Sequence, residues 1–97
     1  MNKKTQIAIV TGGAKRIGAS ICRRLHKSNI NLIIHYKTSE KEAISLRDEL
    51  NKQRKNSASL IQADLLDPKS YSKIIKEAIK IYGQLNFLIN NASTYYP

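Results

Sequence analysis

Four short clusters in this 97-residue chain combine residue types that handle phosphate and sugar groups. The first is Thr11-Gly12-Gly13-Ala14-Lys15-Arg16-Ile17-Gly18, which follows the apolar run Ile7-Ala8-Ile9-Val10. Glycine lets a backbone turn sharply and approach a ligand closely, and the exposed amides of a following helix favour an anion. The spacing departs from the usual dinucleotide fingerprint, and by itself such a stretch reads equally as a plain turn between two elements. The second cluster, Tyr36-Lys37-Thr38-Ser39, offers a cation and hydroxyls. The third is Asp64-Leu65, whose carboxylate either accepts from an adenine amino group or serves only turn chemistry. The fourth, Asn90-Asn91-Ala92-Ser93, carries amides that either order a bound cofactor or brace neighbouring loops.

Each cluster terminates a strand-like segment. Residues 6–11 read as a fully buried strand, because the continuous apolar run Ile7–Val10 suits a parallel sheet covered on both faces. From Lys15 to Ser28, Ile17, Ile21 and Leu25 recur every four residues beside Cys22, which predicts a helix with one apolar stripe and the cysteine in the core. Ile30–Tyr36 is a second strand, too far from the first for a hairpin. Ser39 with Glu42 reads as a capping box opening a second helix, whose apolar face is Ala43, Leu46 and Leu50 and which ends in the polar run 51–57.

Ser59–Ala63 is a third strand. Asp67 and Pro68 predict the start of a third helix, with Tyr71, Ile74, Ile75, Ala78, Ile79 and Tyr82 on its buried side and Gly83 as its stop. Leu85–Ile89 is a fourth strand with one unpaired apolar edge. Alternating strands and helices predict a Rossmann-type α/β fold: a doubly wound parallel sheet with right-handed crossovers and strand order 3-2-1-4, truncated after the fourth strand. Residues 1–97 then make up one incomplete dinucleotide-binding domain.

In such sheets ligands bind beyond the carboxyl ends of the strands, where strand order reverses. All four clusters fall there, which is a stronger signal than the glycine stretch alone. The second cluster also bears on which dinucleotide binds. A site for NAD usually places Asp or Glu at that strand end to hold the ribose 2′-hydroxyl. Here Lys37 and hydroxyls stand instead, with no acid before Glu40, and a lysine attracts the 2′-phosphate that a carboxylate would repel. Arg16 adds a planar fork for the same phosphate or the pyrophosphate, so the charge logic favours NADP.

Composition narrows the remaining classes. The chain has 17 basic and 7 acidic residues, a net charge of +10. Lys69, Lys73, Lys76 and Lys80 share one helix side, which reads as a solvated face, and no nucleic-acid motif accompanies the charge. No apolar run approaches the roughly 20 residues of a membrane span. The lone cysteine allows no internal disulfide and fits a reducing cytoplasm. His26 and His35 have no metal-ligand or triad spacing and read as structural, and no metal site is expected.

The sequence Thr11–Gly18, with Asp64-Leu65 and Asn90-Asn91-Ala92, resembles the short-chain dehydrogenase/reductase family across the whole chain. Arg16 and Ser93 stand where that family commonly has glycine. Together with His35–Ser39 and the ending Asn90–Pro97, they are similar to the pteridine reductases within it. The resemblance implies that Gly12, Lys15, Arg16 and Ile17 hold cofactor phosphates. It places Tyr36, Lys37 and Ser39 around the adenosine ribose and its 2′-phosphate, Asp64 and Leu65 beside adenine, and Asn91, Ala92 and Ser93 along the nicotinamide-side ribose. Arg16, Ser93 and Tyr95 are implied on the substrate side, with the Tyr95 ring stacking on a flat pterin; the residues alone would make Tyr95-Tyr96-Pro97 a packing cluster.

The family's catalytic Tyr-x-x-x-Lys is absent from these 97 residues, so no catalytic residue is assigned. The expectation is an N-terminal, cofactor-binding fragment of a cytoplasmic NADPH-dependent reductase acting on a pterin C=N bond. It would be inactive alone and homo-oligomeric, tetrameric by resemblance, when complete. Short-chain reduction of another carbonyl substrate and a non-catalytic dinucleotide sensor are the alternatives.

Overall fold

The computed structural model describes residues 5–92. Four parallel strands, β1 (Gln6–Val10), β2 (Ile30–Tyr36), β3 (Ala58–Gln62) and β4 (Phe87–Ile89), form one sheet in the order β3-β2-β1-β4. Between them run α1 (Arg16–Lys27), α2 (Glu40–Gln53) and α3 (Ser70–Tyr82). The expected fold and strand order are therefore observed. In register, Ala8 pairs with Leu32 and Phe87, and Leu32 pairs with Ala58.

Side chains alternate across a strand, so a sheet covered on both faces needs apolar residues at every position of its central strands. β1 meets that demand over Ile7–Val10 and β2 over Leu32–Ile34. Ala8, Val10, Leu32 and Ile34 join one buried cluster with Ala19 and Cys22 of α1 and Ala43, Leu46 and Leu50 of α2. Ile9 and Ile33 point the other way, into a smaller cluster with Ile74 and Ala78 of α3.

Several expected details differ. The stripe Ile17, Ile21, Leu25 is not the buried face of α1. Gly18, Ala19, Cys22 and His26 are buried instead, Ile21 and Leu25 are half-buried, and Ile17 is 71 % exposed. The helix approaches the sheet along its small residues, which allow a shorter separation than a row of isoleucines. Ile79, expected in the core, is 50 % exposed, because α3 covers its strands through Ile74 and Ala78.

Ser39 makes no side-chain cap bond. Its backbone lies at φ −83°, ψ 56°, outside the extended region from which a serine hydroxyl reaches the first amides, so the capping box does not form. Asp67 caps a turn rather than the helix itself: its Oδ1 accepts from Lys69 N–H at 3.0 Å, and α3 begins only at Ser70. β4 is two residues shorter than expected at its start, β1 stops one residue before Thr11, and β3 is shifted one residue earlier. Among the described residues the outer edge of β4 has no strand partner, and Phe87 and Leu88 beside it are exposed.

The end of the molecule opposite the strand exits is closed by side chains reaching backbone carbonyls. Arg54 donates to His26 O at 2.9 Å and to Ile30 O at 2.8 Å, tying the end of α1 to the start of β2. His26 Nε2 and Ser57 Oγ lie 2.7 Å apart in the interior. Burial, reinforced by the Arg54 charge, lowers the pKa of His26 and keeps its ring neutral.

Gly83 ends α3 at φ 78°, and a β-carbon there would meet nothing within 4 Å. The cost of replacing it is therefore conformational alone. Gly83→Ala is expected to destabilise by about 1 kcal/mol in urea unfolding, with Gly83→Asn recovering part of the loss. Equal stability of all three proteins would show that the left-handed cap does not matter.

Candidate functional site

The residues between Val10 and Arg16 leave the sheet where β1 separates its two neighbours, and the turn they form is built from backbone. Gly12 sits at φ 60° and its N–H donates to His35 Nδ1 at 3.0 Å. Gly13 N–H donates to His35 O at 3.0 Å. A β-carbon on Gly13 would lie 2.9 Å from Val10 O and 3.1 Å from Cys22 Sγ. At Gly18 a β-carbon would run into Gly12 O and lie 2.8 Å from Asn91 Nδ2, so the first turn of α1 packs on the glycine turn only because residue 18 has no side chain.

The fourth cluster binds this turn from the other side. Thr11 N–H donates to Ile89 O at 3.0 Å, and Asn91 Nδ2 donates to Gly12 O at 3.1 Å. Ala92 N–H donates to Thr11 Oγ1 at 3.0 Å, Thr11 Oγ1 donates onward to Asn90 Oδ1 at 3.2 Å, and Tyr71 OH donates to the same oxygen at 3.0 Å. Of the two roles open to the asparagines, the observed contacts are those of a brace.

The cleft beside the turn holds about 560 Å³ and is lined by Gly12, Ala14, Lys15, Arg16, Ile17, Gly18, Tyr36, Lys37, Thr38, Ser39, Asn91 and Ala92. It thus gathers Gly12, Lys15, Arg16, Ile17, Tyr36, Lys37, Ser39, Asn91 and Ala92 from three of the four clusters. Asp64 joins at the rim, where its Oδ2 lies 3.7 Å from Lys37 Nζ. Leu65 is not in the cleft; it is half-buried against the α3 side of the sheet. Ser93 and Tyr95 lie outside the described residues.

The cleft's electrostatics are one-sided. Lys15, Arg16 and Lys37 are exposed at its rim. The first turn of α1 carries no acidic residue, and its Arg16, Ile17 and Gly18 amides have no acceptor among the described residues. Uncapped amides at a helix start favour an anion. The Lys37–Asp64 pair is half-exposed on both sides, so it is worth at most about 1 kcal/mol and yields readily to a stronger anion. Glu40 stays peripheral, with its Oε2 3.5 Å from Tyr36 OH, the outer limit of a hydrogen bond.

Behind this cationic rim the groups are neutral. Burial pushes the Cys22 thiol up to about 12, despite the opposing charge of Arg23, so this cysteine is packing and not a nucleophile. His35 bridges two segments: besides accepting from Gly12, its Nε2 lies 2.8 Å from Ala63 O. Residue spacing carries no sign of this bridge, because both partners are backbone groups distant along the chain. Thr11, Gly18 and Asn90 fall within the expected clusters, but their individual contacts in the frame have no signature in the spacing.

The family model described as short chain dehydrogenase matches residues 6–96. Pteridine reductase 1 of Leishmania tarentolae is 34 % identical over 108 aligned residues, covering 94 % of this chain and 37 % of that protein. The 3-oxoacyl-[acyl-carrier-protein] reductase FabG of Staphylococcus aureus (strain N315) is 33 % identical over 90 residues, 93 % of this chain and 36 % of that one. Hydroxynaphthalene reductase-like protein Arp2 of Metarhizium brunneum is 30 % identical over 89 residues, 92 % of this chain and 33 % of that one. The chain spans about a third of the length of these relatives.

Two substitutions at the turn have opposite expected effects. Arg16 is held at φ 54°, a left-handed conformation that costs a non-glycine residue about 1 kcal/mol. Arg16→Gly should therefore raise stability by about that amount in thermal unfolding while weakening anion binding in the cleft. Gly18→Ala should lower stability by about 1–3 kcal/mol through the clash with Gly12 O and Asn91. A stabilised Gly18→Ala protein would contradict the packing described above.

Proposed function

Because this chain belongs to the short-chain dehydrogenase/reductase family, we propose that it is the cofactor-binding part of an NADPH-dependent oxidoreductase. The observation that carries the reading is the cationic cleft at the strand exits. Uncapped amides and Arg16 lie at one end of it, and Lys37 takes the place where a carboxylate would select NAD. The fit is chemical: the glycine turn, Lys15 and the uncapped start of α1 line one cleft, a set of donors and a cation suited to a pyrophosphate. Tyr36, Lys37 and Ser39 would surround the adenosine ribose, with Lys37 leaving Asp64 for the 2′-phosphate. A phosphate monoester carries about −1.5 to −2 charges near neutral pH and so outcompetes one half-exposed carboxylate, whereas the neutral hydroxyl of NADH does not. Asp64 Oδ1 accepts from Leu66 N–H at 3.0 Å, and Oδ2, once released by Lys37, would accept from the adenine amino group.

The bound dinucleotide would supply a hydride. Residues outside these 97 would have to supply the proton, since no Tyr-x-x-x-Lys lies among them. For the whole protein the substrate we favour is a pterin-like heterocycle with a reducible C=N bond. What supports it is the similarity to a protein named pteridine reductase 1, together with Arg16 at a position the family commonly gives to glycine. Reduction of a carbonyl substrate is the second reading, supported by the similarity to a 3-oxoacyl-[acyl-carrier-protein] reductase. Ser93 and Tyr95 are proposed on the substrate side in the first reading. None of the described helices is long and apolar enough to cross a membrane. The single buried Cys22 suits a reducing cytoplasm, where we place the protein.

Calorimetric titration of the full-length protein with NADPH and NADH tests the cofactor assignment. NADPH should bind more tightly, and Lys37→Ala should weaken NADPH by about tenfold, about 1.4 kcal/mol, with NADH nearly unaffected. Equal losses for the two cofactors would remove the 2′-phosphate from Lys37.

A further inference from the structure

His35 is a buried titratable side chain at the centre of the site, and cofactor contact does not account for it. It is 2 % exposed, and its ring joins two backbone segments that belong to different clusters. The direction of both hydrogen bonds follows from the partners. A backbone amide can only donate, so Gly12 N–H requires an unprotonated Nδ1. A carbonyl can only accept, so Ala63 O requires a proton on Nε2. The ring is therefore the neutral Nε2–H tautomer, and its main chain holds Gly13 N–H as well.

We infer that His35 is a positioning residue for the anion-binding turn, acting as a proton-sensitive brace: the neutral ring holds Gly12 against the exits of β2 and β3, and a second proton on Nδ1 releases it. This rests on the cofactor reading given above. Protonation would put N–H against N–H at 3.0 Å, a repulsion that is relieved when Gly12 and the ring separate. Gly12 O is the atom on which Gly18 packs and to which Asn91 donates, so displacement of Gly12 carries the start of α1 with it.

The ionisable groups on the elements packed round the ring do not replace the brace. Lys15 and Arg16 lie past the turn and are exposed, and Cys22 of α1 is neutral behind Gly13. Lys37 and Asp64 pair with each other at the rim, Asp67 caps its own turn, and Tyr71 of α3 donates to Asn90. None of them hydrogen-bonds to the ring among the described residues. Burial is the main influence on His35 and lowers its pKa from 6.5, opposed by the bond to Ala63 O. With the folded value below the unfolded one, the stabilising contribution of the neutral ring is complete above about pH 6.5 and is lost as pH falls through the folded value.

The test compares NADPH affinity of the full-length wild type, His35→Asn and His35→Phe at about pH 7.5 and about pH 5.5. Asparagine keeps an acceptor for Gly12 N–H and cannot gain a proton in this range; phenylalanine fills the space with no acceptor. The cofactor's own 2′-phosphate titrates near pH 6, but that effect is common to all three proteins. The wild type should lose more affinity on acidification than His35→Asn, by a factor that a folded value below 6.5 keeps under about tenfold at the lower pH, and His35→Phe should bind weakly at both pH values. Superimposable wild-type and His35→Asn profiles, or a His35→Phe protein that binds like wild type, would overturn the brace.

Nitrogen-15 spectra of the wild-type histidines keep the question open to decision if a variant fails to fold. Nδ1 of His35 should be unprotonated at neutral pH and titrate together with the Gly12 amide signal, whereas a proton on Nδ1 at neutral pH refutes the brace. A wild type that shows this coupled titration but does not bind NADPH would refute the cofactor reading and leave the brace standing.

Discussion

The contact between Gly12 O and the bare α-carbon of Gly18 is the constraint on which the site depends. It brings the first turn of α1 onto the loop that ends β1, and it leaves room for no side chain at residue 18. Three polar groups of that loop are then matched: Gly12 N–H by His35, Gly12 O by Asn91, Gly13 N–H by the His35 carbonyl. Buried backbone groups without partners cost about 1–3 kcal/mol each, so a turn lacking these partners would not hold its shape. With the inner face matched, the outward amides at the start of α1 remain for a ligand.

The parts of this arrangement that repeat along the chain were legible in the sequence. Ile7–Val10 and Leu32–Ile34 are apolar without alternation, which is the mark of strands covered on both faces, and Gly83 marks the end of α3. The parts that depend on contacts between distant residues were not. The ring of His35 meets Gly12 and Ala63, and Asn90 meets Thr11 and Tyr71, across separations with no periodic signature. The apolar stripe of α1 misled because periodicity reports where large side chains fall, while the depth of packing was decided by Gly18, Ala19 and Cys22. Ser39 and Glu42 match a capping pattern, yet the backbone angles at Ser39 place it in the cleft wall instead.

The charge of +10 is distributed by burial. The cations at the cleft are exposed, where keeping a charge hydrated costs little, and the groups behind them are neutral: the His35 ring, the Cys22 thiol, the Thr11 hydroxyl and the Asn91 amide. A buried charge in that inner layer would need a partner of its own and would compete with the ligand for orientation. A neutral, hydrogen-bonded frame instead fixes the geometry, and the exposed rim supplies the attraction.

The same division explains where strain is tolerated. Arg16, at φ 54°, belongs to the rim, where a left-handed backbone costs about 1 kcal/mol but points a guanidinium-bearing residue and its amide at the cleft. The inner frame contains a positive φ only at Gly12, where it costs nothing for lack of a β-carbon. Strain is thus confined to a residue whose conformation serves binding, and the frame beneath it is relaxed. Conversely, a conformational change large enough to relieve Arg16 would have to shift the start of α1, and the contact of Gly18 with Gly12 opposes that.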